Sequence, residues 1–206
     1  DVFEVSYEIM DGLTIKSDWS FDLLKVDEYL FQNGRYGDGR RIGGYANEGG
    51  ISQTNWLGTQ SIQFTPQDTG NHNMNFFAAY EAQKVMTRTI ELTGEGFSHP
   101  DLKYAASAAN PTTAYSARSD YAFQSYFARA NYDYNSEYFL SMSFRRDGSS
   151  RFGPDQRWGT FGSIGVGWNM TRLIESVAFV DFLKLRGSFG TTGNAGIGNF
   201  DWAGLW

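Results

Sequence analysis

The sequence predicts an all-β chain of about eight strands, forming an antiparallel transmembrane β-barrel wall. Three observations predict it. Apolar and polar residues alternate with a period of two over most of the chain, and a sustained helical period is nearly absent. The connections between alternating stretches are short at one end of the strands and long at the other. The composition, 17% aromatic with 24 glycines, 6 tryptophans and only 4 prolines, suits a wall that meets two solvents better than a globular core. The mean hydropathy of −0.44 does not argue against this, because a barrel strand shows lipid only every second side chain.

The strands are expected at about 3–10, 13–31, 50–66, 72–93, 121–134, 138–147, 158–170 and 183–190. In the second, Leu13, Ile15, Trp19, Phe21 and Leu23 alternate with Thr14, Lys16, Asp18, Ser20 and Asp22. In the fifth, Tyr126, Ala128, Ala130, Tyr132 and Tyr134 alternate with Ser125, Arg129, Asn131 and Asp133, and Phe127 is the exception. Tyr138, Leu140, Met142 and Phe144 oppose Ser141, Ser143 and Arg145 in the sixth. Trp158, Ile164, Val166, Trp168 and Met170 alternate with small and polar residues in the seventh, and Leu183, Leu185 and Phe189 with Lys184, Arg186 and Ser188 in the eighth. The polar parity assigns Lys16, Asp18, Arg129, Asn131, Arg145, Lys184 and Arg186 to a water-filled lumen.

Asp11-Gly12, Asp68-Thr69-Gly70 and Asn135-Ser136-Glu137 read as tight turns, because Asp, Asn and Gly tolerate positive φ. Long connections at 32–49, 94–120, 148–157 and from 191 onward fall on the opposite, exterior rim. The link from Thr171 to Phe182 belongs to the turn side and is expected to form a short helical turn around Leu173, Ile174 and Val177. Tyr132, Tyr134, Tyr138 and Trp168 lie near the tight turns on the lipid-facing parity, where an aromatic girdle belongs.

Several function classes are excluded or disfavoured. The chain has no cysteine, so disulfides, thiol catalysis and cysteine metal sites are ruled out. A net charge of −6 argues against a nucleic-acid partner. His72 and His99, the only histidines, fall at opposite ends of the expected topology, so neither a shared metal site nor a catalytic centre is expected. Asp147-Gly148-Ser149-Ser150 lacks the ligand pattern of a calcium loop and reads as a polar rim turn. Arg145, Arg146, Arg151 and Arg157 with Asp147 and Asp155 read as a solvated rim network, with lipopolysaccharide phosphate or an acidic substrate as the alternative. Tyr36 and Tyr45 in the first long loop, Tyr104 in the second, and Trp202 and Trp206 at the end are the aromatics placed to stack on a sugar or touch a lid; packing between loops is the competing reading.

The segments YDYNSEYFLSMSFRRDGSSRFG (132–153), RWGTFGSIGVGWNMTRLIE (157–175) and LKLRGSFGTTGNAGIG (183–198) resemble, in order and spacing, the SusC/RagA family of TonB-linked outer-membrane transporters of the Bacteroidetes. NFFAAYEAQ (75–83) and SYFARANYDY (125–134) are similar to it as well. The resemblance implies a plugged barrel of about 22 strands, of which residues 1–206 would be one part of the barrel domain, without plug or N-terminal segments. The chain starts at Asp1 with no leader and reads as a fragment or a processed chain. The resemblance further implies no enzyme and no cofactor, but TonB-dependent import of a glycan or peptide beneath a SusD-like lipoprotein, in an outer membrane with the long loops outside. Two other readings are an autonomous eight-stranded barrel serving as adhesin or anchor, in which the first and last strands pair, and a soluble sugar-binding sandwich, in which a second sheet covers the aromatic face.

Overall fold

The computed structural model describes residues 1–67, 69–171, 182–194 and 196–199. Eight strands form one antiparallel sheet in the order β1-β2-β3-β4-β5-β6-β7-β8, so each strand pairs with its neighbours in sequence. They are β1 (Val2–Met10), β2 (Leu13–Gln32), β3 (Tyr45–Phe64), β4 (His72–Glu95), β5 (Asn110–Tyr134), β6 (Tyr138–Ser149), β7 (Trp158–Asn169) and β8 (Lys184–Gly190). Three short 3₁₀ turns, Asp38–Ile42, Ala105–Ser107 and Pro154–Gln156, sit in the long connections.

All eight expected strands are present, most with ends shifted by one or two residues, and at β3, β5 and β6 the shift changes which residues are strand. β3 starts at Tyr45 rather than 50, and β5 at Asn110 rather than 121, both inside expected loops. β6 runs on to Ser149, so Asp147-Gly148-Ser149 is strand and not a rim turn. Ser149 donates its backbone N–H to Arg157, and Ser150 donates to Ala122 at 3.0 Å each, which holds this end between β5 and β7. The helical turn expected around Leu173, Ile174 and Val177 lies outside the described residues.

The chain divides into two compact units. The first comprises Asp1–Ser20, Leu57–Lys84 and Tyr121–Trp206. Its side chains sort by register, since directly paired residues of antiparallel strands share a face. Lys16 pairs with Ser6 and Asp18 with Glu4 in β1–β2. Arg129 pairs with Ser143 and Asn131 with Ser141 in β5–β6, and Ser143 with Ser163 in β6–β7. Arg186 pairs with Gly167 and Lys184 with Asn169 in β7–β8. The opposite face carries Phe3 with Trp19, Tyr7 with Ile15, Ala130 with Met142 and Ile164, and Trp168 with Leu185.

That apolar face has no partner layer among the described residues. Phe189 is 74% exposed, Leu185 63% and Val166 57%, and none of the three buried hydrophobics, Ala46, Val85 and Ala105, belongs to this unit. An apolar surface of this extent is untenable in water, and lipid is the solvent it fits. A soluble sandwich, which needs a second sheet over the aromatics, does not fit a single sheet. The order also puts β1 and β8 at the two sheet ends instead of pairing them, as an autonomous small barrel requires.

The tight turns of this unit follow from its sequence. Asn135 and Ser136 both hold φ of 55°, the primed hairpin geometry that Asn accepts readily, and Asp133 Oδ1 accepts the Ser136 N–H at 3.2 Å. Neighbouring turns are joined: Asn135 N–H donates to Asn71 and Asn169 N–H to Glu137, both at 2.7 Å. The alternation gives a direct test. With single cysteines in the full-length protein, Tyr132→Cys should react with a lipid-soluble thiol probe and Asn131→Cys with a water-soluble one; equal labelling of the two would sink the assignment of faces.

The second unit comprises Phe21–Trp56 and Val85–Asp120. Its small core consists of Ala46, Val85 and Ala105 with Thr93, whose hydroxyl shares a 2.6 Å hydrogen bond with that of Thr112. The loop after β2 closes on the loop after β4 through backbone bonds: Phe97 N–H to Gly43 at 2.8 Å and Gly96 N–H to Gly44 at 3.1 Å.

Candidate functional site

In the first unit the polar face gathers most of the cations that parity assigned to a lumen. Arg129, Asn131, Arg145, Lys184 and Arg186 stand on one side of β5–β8 through the register of three strand pairs. Lys16 and Asp18 stand on the corresponding side of β1–β2, where Lys16 Nζ bridges Glu4 and Asp18 at 3.0 Å each. Asn73 donates to Asp133 Oδ1 at 2.8 Å and Asn75 to Thr65 at 2.9 Å, which carries the polar face across β4. An open depression of about 640 Å³ lies here, lined among others by Asn73, Asn75, Asn131, Asp133, Phe139, Lys184 and Arg186. Gly165 and Gly167 leave its floor bare; a Cβ on Gly165 would sit 2.6 Å from Ser141 Oγ.

Aromatic rings interrupt the polar parity, and alternation alone missed this. Phe127 meets Phe77 at 5.8 Å with the rings tilted by 59°, Arg129 lies over Phe77 at 6.0 Å, and Lys184 Nζ sits 3.3 Å from the centre of Phe139. Arg151 lies 3.9 Å over Tyr121 and donates to Asn199 Oδ1 at 2.9 Å. Cation–π pairs at exposed sites contribute about 0.5–1 kcal/mol each, so these rings orient the cations more than they stabilise the sheet. The result is a surface of alternating cation, amide and ring, suited to neutral polar polymers with apolar faces and to backbone amides.

The rim arginines do not form one network. Arg145 faces the polar side and donates to Asp147 at 2.7 Å, while Arg146 is on the apolar side over Trp158 at 5.2 Å. The rings expected to form a girdle neighbour one another. His72 Nδ1 and Tyr132 Oη are 2.8 Å apart, Tyr134 and Tyr138 stack at 6.4 Å, and Tyr138 and Trp168 at 6.0 Å. Among the described residues no three His, Asp or Glu side chains converge to hold a metal ion.

The loop aromatics are not brought together. In the second unit, Tyr104 packs on Tyr29 at 5.8 Å, and Tyr29 Oη donates to the Lys103 carbonyl at 2.8 Å. Glu48 accepts the Ala105 N–H at 2.7 Å, which fixes the loop further. Tyr45 is not a loop residue: it opens β3, and its hydroxyl accepts from Asn47 at 3.5 Å. Tyr36 is a loop residue and is exposed. Trp202 and Trp206 lie outside the described residues.

Known proteins resemble this chain over nearly its whole length. No family model matches the chain. It is 28% identical over 203 residues to TonB-dependent receptor P39 of Formosa agariphila, covering 96% of this chain and 19% of that protein. TonB-dependent receptor P3 of the same organism is 27% identical over 203 residues, 97% of this chain and 20% of its own length. TonB-dependent receptor SusC of Bacteroides thetaiotaomicron is 42% identical over 66 residues, 31% of this chain and 7% of SusC. The chain is similar over nearly its whole length to proteins named TonB-dependent receptors, and over a shorter stretch to SusC. The fold agrees: the RagAB peptide transporter structure superposes with a TM-score of 0.87 at 22% identity, over 95% of this chain and 22% of that one. The chain spans about a fifth of the length of the curated receptors it matches across nearly its whole length.

Proposed function

We propose that the chain is part of the wall and rim of an outer-membrane importer that takes up a glycan or a peptide under energy from TonB. The observation that carries this is the two-sided sheet: an apolar face with no partner layer among the described residues, and a polar face of cations, amides and rings of the kind a solvated lumen needs. The homology to TonB-dependent receptors supports active import over passive anchoring. A plug fills the lumen of such a barrel, and Lys16, Asp18, Arg129, Asn131, Arg145, Lys184 and Arg186 hydrate it and contact the plug by charge and hydrogen bonding. The 33–44, 96–109 and 150–157 loops face the exterior, where a SusD-like lipoprotein lids the barrel; Tyr36 and Tyr104 are exposed rings in these loops, and Tyr45 follows the first of them at the start of β3, with Trp202 and Trp206 further along the sequence.

The test is uptake by cells whose chromosomal copy is deleted, supplied in parallel with labelled oligosaccharides and labelled peptides, and repeated with TonB inactivated. Uptake of one class should fall to background in both strains, and a surface lipoprotein should copurify with the tagged full-length protein. Normal uptake of both classes, or uptake that persists without TonB, would remove the import reading.

A further inference from the structure

We propose that Arg146, laid against Trp158 on the lipid-facing side of the wall, binds the phosphate of an outer-leaflet glycolipid. The inference rests on the reading that this face meets lipid, and it adds a specific headgroup site to it. Arg145 and Arg146 are consecutive, so the pleat sends them to opposite faces. Arg145 is neutralised by Asp147 at 2.7 Å. Arg146 makes no ion pair among the described residues, although it is exposed on a face otherwise built of Tyr126, Ala128, Phe144 and Ile164.

Its depth along the strand explains how a charge is tolerated there. Arg146 is eight residues along β6 from Tyr138 in the turn-side girdle. At ~3.3 Å per residue and a strand tilt of ~40°, that is about 20 Å of depth, close to the height of the apolar band of such a barrel. A second aromatic cluster appears at that level. Tyr126 stacks on Trp158 at 6.1 Å and 29°, Tyr80 lies 5.2 Å from Tyr126, and the Arg146 guanidinium lies 5.2 Å over the Trp158 ring. The indole lies flat on Gly148, where a Cβ would meet its ring at 2.9 Å, so the platform is set by the backbone. Lys84, four residues beyond Tyr80 on the same parity of β4, adds a second cation to this rim.

A guanidinium stacked on an indole keeps its in-plane N–H donors free, and these match the oxygens of a phosphate. Carboxylate partners are absent among the described residues, the level is that of lipid headgroups, and the long loops put it in the outer leaflet. The ligand that satisfies all three is an acyl lipid with a phosphorylated sugar headgroup, the chemistry of lipid A.

The test uses the purified full-length complex in detergent, offered lipid A with its phosphates intact or removed, with retained lipid counted by native mass spectrometry. Wild type should retain the phosphorylated form about tenfold better than Arg146→Gln, the scale of one charge-assisted contact, with Arg146→Lys in between. Equal retention by wild type and Arg146→Gln, or wild-type indifference to the phosphates, overturns the site. The second arm needs no variant to fold. A lipid-soluble probe on Phe144→Cys separates the two levels of failure: labelling with equal retention removes only the headgroup site, whereas no labelling removes the lipid-facing assignment itself.

Discussion

Arginine in place of Met142 is expected to destabilise the folded barrel by about 2–4 kcal/mol, while arginine in place of Ser141, one residue away, should change little. Met142 lies midway between Tyr138 and Arg146 on the apolar face, paired with Ala130 on one side and Ile164 on the other. Its side chain is 44% exposed with no layer of the described residues to cover it, so a charge there has neither water nor a counter-ion within the sheet. At the middle of the hydrocarbon band a guanidinium cannot snorkel easily to either rim, and the insertion penalty is near its maximum. Ser141 points the other way, into the depression beside Asn131 and Lys184, where a new guanidinium stays solvated. The measurement is the denaturant midpoint of the refolded full-length protein in lipid vesicles. Equal stabilities for the two variants would show that both faces meet the same solvent, and the barrel reading would fail with them.

The same logic explains what the sequence made legible. Alternation is strong where the two faces of a strand meet different solvents, and β5 to β8 were readable for that reason. It fades where both faces are polar. Residues 110–120 read Asn-Pro-Thr-Thr-Ala-Tyr-Ser-Ala-Arg-Ser-Asp, with no apolar side to betray the strand, yet they belong to β5. Backbone pairing needs no side-chain period, so such a stretch hides among loops. Tyr45 was lost to the same cause, because the Ala-Asn-Glu-Gly-Gly run after it carries no alternation. The polar-face cations, by contrast, were fixed by parity as soon as the strand was recognised. The rings among them were not, since Phe77, Phe127 and Phe139 look like breaks in a pattern until Arg129 and Lys184 are seen lying on them. Arg146 was read with its neighbours as one rim cluster, and only its register with Tyr126 and Thr160 separates it from Arg145. Loop contacts such as Tyr104 on Tyr29 join residues far apart in the chain, and no local signal encodes them.

The second large effect is expected at the first tight turn, where Gly12→Ala should cost roughly 3 kcal/mol or more against about 1–2 kcal/mol for Gly70→Ala. Both glycines hold a positive φ, +77° at Gly12 and +62° at Gly70, so the conformational penalty for an L side chain is similar in the two. Their surroundings differ. No atom of the described residues lies within 4 Å of a Cβ built on Gly70, so alanine there carries the backbone penalty alone. A Cβ on Gly12 would lie 2.1 Å from the Thr65 carbonyl oxygen, closer than any real contact. The overlap is with backbone on both sides and cannot be relieved by a rotamer change. Moving the turn away instead stretches the 2.7 Å hydrogen bond from Thr65 N–H to the Gly12 carbonyl, whose loss adds about 0.5–1.5 kcal/mol. The difference between the two variants therefore isolates the close approach of the β1–β2 turn to Thr65. Vesicle refolding midpoints measure it directly, and equal losses would mean that the turn stands clear of Thr65 in the folded protein.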